Sequence, residues 1–318
     1  MKKILVTGSS GLVGTSIRSL LSSQQTFTGG AWGEAEVVCV TSKDADLRSF
    51  GETMGMLRLH KPHYVIHLAA EVGGLYKNMN FKVEMLENNL RMNDNIITAC
   101  FQNNIENFMG ILSTCIFPDK TSYPINETML HNGPPHTSND AYAYAKRMME
   151  VQCRAYNEQH NTNYNCIIPT NIYGENDNYN LEDSHVIPGL IHRCYLAKEA
   201  GEKFVVRGTG KPLRQFIYSK DLAKAILDLT GVLHQDNVIV VGNELEYSIK
   251  SIATMIANEF NYVDNMVFDD TYSDGQYKKT ADNSEFISIL PDFESTDIRV
   301  GIKNTVQYFK DNYPNCRI

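Results

Sequence analysis

Apolar residues in this sequence form two kinds of segment: short unbroken runs, and longer stretches in which they recur at helical spacing. The first run ends at Thr7, before a glycine, and the helical pattern of 12–21 follows it. Further unbroken runs, separated by helical patterns, lie at 37–40, 64–68, 108–112 and 165–168. Unbroken apolar strands that alternate with helices are typical of a parallel sheet covered on both faces, so we predict a doubly wound α/β Rossmann fold. Ligands then bind at the carboxyl ends of the strands.

The remaining segments differ from this pattern. Residues 22–35 are rich in Ser, Gln, Thr and Gly and predict a loop. Later segments predict helices over 186–200 and 221–229, strands at 204–206 and 238–241, and mainly helices over 244–318. We therefore predict a Rossmann domain and a smaller C-terminal substrate domain. The first comprises 1–175 with a returning segment at about 214–243, and the second comprises 176–213 and 244–318.

Charge and composition exclude several classes of protein. A formal net charge of -8 opposes a general nucleic-acid surface, which needs a basic field. No stretch approaches the roughly 18 apolar residues of a membrane span, and the start of the chain is too polar for a signal peptide. The seven cysteines include no CxxC motif and no close pair, so we expect no disulfide framework, no metal site and a cytoplasmic location.

A glycine-rich turn joins the first strand to the first helix. Glycines in a GxxGxxG pattern permit a tight turn and a close backbone approach, and the helix amino terminus attracts a pyrophosphate. Because the turn lies between a strand and a helix, dinucleotide binding is favoured over a plain connector. The predicted cofactor-binding residues of this turn are Gly8, Ser9, Ser10, Gly11, Leu12, Val13 and Gly14.

The end of the second strand indicates which dinucleotide is bound. An NAD site usually has Asp or Glu there, whereas NADP requires hydroxyls or a cation near its extra phosphate. The strand runs into Thr41-Ser42-Lys43, so we predict NADP(H), with Ser42 and Lys43 as phosphate partners. Asp44 and Asp46 follow closely; they could form a solvated helix cap, or Asp46 could face the adenine.

Two residues four positions apart on a predicted helix, Tyr142 and Lys146, form a YxxxK pair. We expect the ammonium to lower the pKa of the phenol and make Tyr142 a usable acid or base. Ser113 ends an upstream strand, where it could hydrogen-bond a substrate carbonyl or simply cap the next loop.

Two further groups could transfer protons. Cys115 follows Ser113 by two residues and lies on the same side if the chain stays extended, although an inert buried cysteine is the alternative. His185 precedes a helix of the substrate half and could deliver a proton to the opposite face of a substrate. The alternative is a helix-start histidine without chemistry.

With these residues in order, the sequence resembles the extended short-chain dehydrogenases/reductases, and more closely the GDP-L-fucose synthases. The likeness runs nearly end to end, and its most specific stretches are VTGSSGLVG, HLAAEVGG, LSTCIFPDKTSYPINETMLHNGPPH, YAYAKRM, IPTNIYG, SHVIPGLIHR, GTGKPLRQFIYS and SDGQYKKTADN. It implies an NADPH-dependent 3,5-epimerisation and 4-keto reduction of GDP-4-keto-6-deoxy-D-mannose to GDP-L-fucose. It also implies a homodimer formed through helices near 81–102 and 140–158.

The same resemblance implies roles for individual residues. Cys115 and His185 would act as base and acid from opposite faces, Ser113 and Tyr142 would hold the enolate oxygen, and Lys146 would also grip the nicotinamide ribose. The further cofactor contacts that it implies are Leu68, Ala69, Ala70, Pro169, Thr170, Asn171, Ile172 and His185. The substrate contacts that it implies are Arg193, Arg207, Arg214 and Asp274. Arg207 is a departure, because the family commonly carries tryptophan there.

Two other functions remain open on the sequence. A nucleotide-sugar 4-epimerase or 4,6-dehydratase that recycles bound NAD would not need Cys115 and His185, and a dehydratase usually carries Asp-Glu where this chain has Cys115-Ile116. A redox-sensing binding protein would keep the dinucleotide site but typically loses the Tyr/Lys pair, which is present here.

Overall fold

A seven-stranded sheet forms the centre of the computed structural model, which describes residues 1–21, 25–233, 235–242 and 245–318. The strands of the described chain are β1 (Lys2–Thr7), β2 (Thr26–Gly29), β3 (Gly33–Cys39), β4 (Tyr64–His67), β5 (Asn107–Ile111), β6 (Asn163–Pro169), β7 (Asn171–Tyr173), β8 (Phe204–Arg207), β9 (Leu213–Arg214), β10 (Phe216–Tyr218), β11 (Asn237–Val240), β12 (Tyr247–Ser248) and β13 (Met266–Asp269). The α-helices are α1 (Leu12–Leu20), α2 (Phe50–His60), α3 (Leu75–Asn80), α4 (Lys82–Gln102), α5 (Asp140–His160), α6 (Val186–Ala200), α7 (Ser219–Leu229), α8 (Ile249–Glu259), α9 (Ser284–Ile289) and α10 (Ile298–Asn312).

The sheet order is β11-β6-β5-β4-β1-β3-β2, and every pairing is parallel except that of the edge strand β2 with β3. The chain moves from β1 to β3 on one side and then crosses to β4 on the other. The carboxyl ends of β1 and β4 therefore flank a topological switch point, where doubly wound sheets bind ligands. The predicted doubly wound fold is confirmed, as is the prediction that 238–241 adds a strand to this sheet.

Both faces of the sheet are buried, which explains the unbroken apolar runs. In β1, Leu5 packs into the cluster beneath α2, α4 and α5, while Ile4 and Val6 face the cluster formed with α1 and α7. A third cluster lies in the second half, where α6, α8 and α10 pack together beside β8. The second half also contains three two-stranded pairings, of β10 with β7, β12 with β9 and β13 with β8.

Two sequence predictions are corrected here. Much of the predicted loop 22–35 is a hairpin edge, because β2 pairs antiparallel with the first half of β3; residues 22–24 lie outside the described part. The edge strand is half-exposed and polar, so it lacks an apolar signal. The segment 244–318 also contains β12 and β13 besides its helices. The predicted domain boundary at 243 and 244 falls outside the described residues, and the division into two domains stays a prediction.

A buried hydrogen-bond chain ties the carboxyl edge of the sheet to α4 and α5. His67, the last residue of β4, contacts the Thr7 hydroxyl through Nδ1 at 2.9 Å and Asn93 Oδ1 through Nε2 at 3.2 Å. The Asn93 amide donates to the carbonyl of Ala145 at 3.3 Å, one residue before Lys146. This assigns the ring proton to Nε2, because the amide oxygen of Asn93 must accept. Burial and then the Lys146 ammonium lower the pKa of His67 to about 3.

The neutral state of His67 predicts a pH dependence of stability. Its folded pKa lies below the unfolded value of about 6.5, so only the unfolded chain takes up this proton as the pH falls below about 6.5. Between pH 7 and pH 5 the free energy of unfolding should fall by about 2 kcal/mol from this group. Urea denaturation at both pH values measures it. His67→Gln should be less stable at pH 7, but its free energy of unfolding should fall less on acidification. The control His160→Gln, at an exposed position, should behave as the parent. Equal falls in the free energy of unfolding of all three proteins would contradict the assignment.

Candidate active site

A cavity of about 1090 Å³ opens at the carboxyl edge of the sheet, between the sheet and the second half of the chain. It exceeds the roughly 300–1,000 Å³ of an ordinary small-molecule site. It has room for a dinucleotide and a second large ligand together. The predicted site residues that line it are Gly8, Ser10, Gly11, Leu12, Val13, Gly14, Ser42, Asp46, Leu68, Ala69, Ala70, Ser113, Cys115, Tyr142, Lys146, Pro169, Thr170, Asn171, Ile172, His185, Arg193, Arg207, Arg214 and Asp274.

The glycine turn between β1 and α1 is shaped for close packing on one side and for a ligand on the other. Gly8 has φ +67°, and a Cβ there would lie 2.6 Å from Ala69 N. A Cβ on Gly14 would lie 2.4 Å from Ser9 Cα. The only atom that a Cβ on Gly11 would contact is Gly8 O, at 3.3 Å, so this side of the turn has more room. The α1 amino terminus has neither a side-chain cap nor an acidic residue in its first turn, so its N–H groups suit a pyrophosphate.

Ser9, predicted to bind the cofactor, does not line the cavity. It is buried, and both its N–H and its hydroxyl donate to Val40 O, at 3.1 and 2.9 Å. Ser9 therefore fixes the turn to the end of β3, which is a structural role that the motif alone did not separate from ligand contact.

The end of β3 contains the groups that would meet an adenosine phosphate. Ser42 lines the cavity and Lys43 does not, so nothing in the geometry supports the predicted Lys43 contact. Asp44 accepts from the Thr41 N–H at 2.7 Å, and Asp46 pairs with Arg48 at 2.8 Å. Both acids are thus engaged by neighbours. Arg48 also lines the cavity, and the sequence analysis missed it. The signal that could have found it is a cation two residues after Asp46.

The YxxxK pair lies at the start of α5, but its electrostatics differ from expectation. The Lys146 ammonium donates to Ile111 O at 2.8 Å and lies 5.9 Å from the centre of the Tyr142 ring. Burial, and then the nearby Cys115, raise the pKa of Tyr142 rather than lower it. Burial lowers the pKa of Lys146 to about 8. The expected phenolate is therefore wrong for this arrangement, and Tyr142 is a neutral hydroxyl that can donate a proton.

Ser113 and Cys115 both line the cavity, but the backbone between them is not the extended chain that the sequence predicted. The chain does not stay extended, because Thr114–Ile116 form a 3-10 turn in which the Cys115 N–H donates to the Ser113 hydroxyl at 3.5 Å. Buried Arg147 closes the other end of the turn by donating from Nε to Ile116 O at 2.5 Å. Ser113, which precedes the turn, and Cys115, which lies within it, both line the cavity.

His185 is the amino-terminal cap residue of α6 and lies on the cavity wall. Its Nδ1 is 3.7 Å from the carboxylate of Asp177, which is buried. Burial lowers the pKa of His185, but the Asp177 carboxylate outweighs burial, so the net pKa is raised. Asp177 was not found from the sequence, because nothing in the spacing of Asp177 and His185 indicates that they meet.

Arginines from the second half of the chain line the cavity. Arg193 on α6 and Arg214 in β9 are partly buried, and burial lowers the pKa of each to about 10. Arg214 donates to Gln276 O at 2.6 Å, and Asp274 accepts from the Thr209 N–H at 2.8 Å, so Asp274 orders its loop. Arginines without a buried counter-ion suit a diphosphate.

Arg207 replaces the tryptophan expected at its position with another planar group. Its guanidinium lies 5.3 Å from the ring centre of Tyr76 and 4.9 Å from that of Tyr272, and it pairs with Glu182 at 3.2 Å. Arg207 and the two tyrosine rings therefore form a flat surface at the position of the expected tryptophan, and this surface carries a positive charge.

Lys279 is a further cavity residue that sequence reasoning missed. It belongs to the quoted stretch SDGQYKKTADN, and within the described residues its side chain forms no ion pair or hydrogen bond. Burial and then Arg214 lower its pKa to about 8, while Cys115 acts in the opposite direction. Its ammonium therefore lies within electrostatic reach of Cys115.

The glycine turn and the Tyr142–Lys146 pair open into the same cavity, at the switch point of a doubly wound sheet. Together they define an enzyme of the extended short-chain dehydrogenase/reductase type. Across the part of the chain that the structure describes, no three His, Cys, Asp or Glu side chains are grouped as metal ligands would be.

Known proteins agree with this class. Residues 4–242 match the model of the NAD dependent epimerase/dehydratase family. The chain is 47% identical to the GDP-L-fucose synthase of Dictyostelium discoideum over 99% of this chain and 98% of that one, and 44% identical to a probable GDP-L-fucose synthase of Drosophila melanogaster over 100% of both. A crystal structure of a GDP-L-fucose synthetase from Naegleria fowleri bound to NADP superposes with a TM-score of 0.89 at 44% identity, covering 100% of this chain and 95% of that one. The chain therefore belongs to the NAD dependent epimerase/dehydratase family and, within it, to the GDP-L-fucose synthases.

The glycine turn yields a direct test. Gly14→Ala places a Cβ against backbone atoms at 2.4–2.7 Å, so we expect a loss of about 1–3 kcal/mol in the free energy of unfolding and weaker binding of NADPH. Gly55→Ala, in α2 with no atom within 4 Å of the new Cβ, is the matched control and should be neutral or slightly stabilising. Urea denaturation and NADPH fluorescence titration measure both effects. Equal behaviour of the two variants would contradict the packing argument.

Proposed function

We propose that this protein converts GDP-4-keto-6-deoxy-D-mannose to GDP-L-fucose, with NADPH as the reductant, and that it is an epimerase and a reductase at one site. The observation that carries the proposal is the convergence of Ser113, Tyr142 and Lys146 with two further proton-transfer groups, Cys115 and His185, on one cavity. A 4-epimerase needs only the first three. The convergence of all five fits a reaction that moves protons on carbon as well as a hydride.

The cavity residues fit the proposed cofactor at both of its ends. The uncapped amino terminus of α1 supports a pyrophosphate contact. At the adenosine end, Ser42 and Arg48 provide a hydroxyl and a cation, while Asp44 and Asp46 are engaged by Thr41 and Arg48. These features favour NADP(H) over NAD. When bound, NADPH supplies a hydride to C4 of the sugar.

The chain's own residues then account for the proton movements. A C4 ketone acidifies the protons on C3 and C5, and Cys115 removes such a proton from one face while His185 returns one to the other face. Ser113 and Tyr142 hydrogen-bond the ketone oxygen and stabilise the negative charge that develops on it. After both carbons are inverted and C4 is reduced, neutral Tyr142 donates the proton that completes the hydroxyl. Lys146, whose ammonium donates to Ile111 O, stabilises the phenolate that Tyr142 becomes when it gives up this proton.

The remaining side chains place the nucleotide. Arg193 and Arg214 line the cavity, and no buried carboxylate of the described residues pairs with either, which suits the diphosphate of a GDP-sugar. Arg207, flanked by Tyr76 and Tyr272, provides a planar cationic surface for the same GDP-sugar. Asp274 keeps the loop after β13 in place by accepting from Thr209.

Deuterium labelling tests the proposal. The protein, GDP-4-keto-6-deoxy-D-mannose and NADPH in heavy water should give GDP-L-fucose with deuterium at C3 and C5, seen by NMR, together with NADPH oxidation. Cys115→Ser and His185→Gln should each slow product formation by about 10²–10⁴-fold, as loss of a general acid or base does. Cys39→Ser, whose thiol lies away from the cavity, is the cysteine control. Oxidation without deuterium would indicate simple ketone reduction, and no oxidation with NADPH bound would overturn the assignment.

We also propose a cytoplasmic homodimer that binds neither nucleic acid nor membrane. The seven cysteines are all free, and no described helix is long and apolar enough to cross a membrane. For the dimer, the support is an apolar surface on the packed helices α4 and α5. Phe81, Val83, Tyr144 and Met148 are each about half exposed there or just before α4. Burial of this surface against a second copy would remove it from water.

A charge at this surface tests the dimer. Met148→Glu should shift the mass in solution from twice 35.9 kDa to 35.9 kDa, because a carboxylate cannot be buried there without a partner. Val300→Glu, at a position on α10 that is equally exposed, is the control and should leave the mass unchanged. Light scattering after gel filtration measures both. A parent that is already monomeric, or a dimeric Met148→Glu, would contradict this interface.

A further inference from the structure

Asp177 is a buried carboxylate without a full set of partners. It lies in the segment after β7 and is 3% exposed. Its Oδ1 accepts from the Asn178 N–H at 2.7 Å, while its Oδ2 is buried with no hydrogen-bond partner. A buried carboxylate is costly unless it is paired, so a carboxylate kept in this state needs a nearby positive group.

The facing group is His185. Its Nδ1 lies 3.7 Å from Asp177 Oδ1 and is itself buried without a hydrogen-bond partner. The two unsatisfied groups thus face each other slightly beyond hydrogen-bond distance, and a small rotation of either side chain would join them. The rest of the imidazole remains on the cavity wall, which leaves Nε2 as the nitrogen available to a ligand.

Three other features act on the charge of His185. Burial and the amino terminus of α6, which His185 caps, both disfavour the imidazolium form. Arg317, another cavity-lining residue, lowers the pKa of His185 by its charge. Asp177 opposes all three, and the net pKa of His185 is raised. Asp177 is therefore the group that allows His185 to hold a proton at this position.

We propose that Asp177 is a positioning residue that binds His185 Nδ1–H and keeps the imidazole protonated, so that Nε2–H serves as the proton donor of the epimerisation. The destination of that proton rests on the proposed function. In each inversion, Cys115 gains the proton from the sugar carbon and His185 loses one to the opposite face of the same carbon. Both groups then exchange with solvent water, which restores the thiolate and the imidazolium and admits deuterium from heavy water.

The pair is tested first without substrate. In protein labelled with ¹⁵N-histidine, the NMR signals that disappear in His185→Gln report its titration. Asp177→Asn should move the midpoint to lower pH, and Arg317→Gln should move it to higher pH. Asp264→Asn, an exposed carboxylate outside the cavity, should leave it unchanged. A midpoint that does not move in Asp177→Asn overturns the proposal, whatever the activity of the variant.

Kinetics then separate positioning from folding. Asp177→Asn should lower the rate of deuterium entry at C3 and C5, and kcat for NADPH oxidation, by about ten- to hundredfold, the loss expected from one charged hydrogen bond. In a plot of kcat against pH, the fall at high pH should move to lower pH in Asp177→Asn, because His185 loses its proton at a lower pH. NADPH affinity should stay unchanged, and Asp177→Glu should restore part of the rate. Reduced NADPH affinity with an unmoved titration would indicate a structural role only and would refute the pairing.

The two proposals fail in different ways. If the parent does not act on GDP-4-keto-6-deoxy-D-mannose but the midpoint moves as expected, the pairing of Asp177 with His185 stands and the proposed function falls. If the parent makes GDP-L-fucose but the midpoint is unmoved in Asp177→Asn, the function stands and the pairing falls.

Discussion

The contact between the glycine turn and the end of β4 is the constraint on which the site depends. Gly8 adopts a positive φ, and its Cα approaches the Ala69 backbone so closely that no side chain fits between them. This approach is possible because β1 and β4 are hydrogen-bonded neighbours that end at the same edge of the sheet. It places the α1 amino terminus directly over the switch point, and so determines where a dinucleotide can lie relative to Tyr142.

The site also depends on positive charge held in a chain that is acidic overall. The formal net charge is -8, yet Arg48, Lys146, Arg193, Arg207, Arg214 and Lys279 all line one cavity. Burial lowers the pKa of Lys146, Arg193, Arg214 and Lys279, which shows that these cations have lost water without gaining full compensation from carboxylates. A cavity lined by such cations suits anionic ligands such as a nucleotide and a dinucleotide.

The acid–base groups form two sets that differ in environment. Tyr142 is partly buried and packs against an apolar cluster; burial and then the nearby Cys115 raise its pKa and keep it neutral. His185 faces a buried carboxylate that favours its charged form. Tyr142 therefore suits donation of a proton from a neutral hydroxyl, and His185 suits donation from an imidazolium. One cavity thus contains two proton donors whose environments shift their pKa values by different causes.

Much of the architecture follows from the sequence by itself. Unbroken apolar runs predicted buried parallel strands, and the GxxGxxG turn and the YxxxK pair located the cavity, because strand period, helix period and glycine conformations are local properties of the chain. The edge strand β2 was missed, since a half-exposed polar strand has no apolar signal. The role of Ser9, the neutral state of Tyr142, the contacts of Arg48 and Asp177, and the position of Lys279 in the cavity were decided only by the tertiary structure. These depend on burial and on side chains that are brought together by packing between distant segments, and neither spacing nor composition records that.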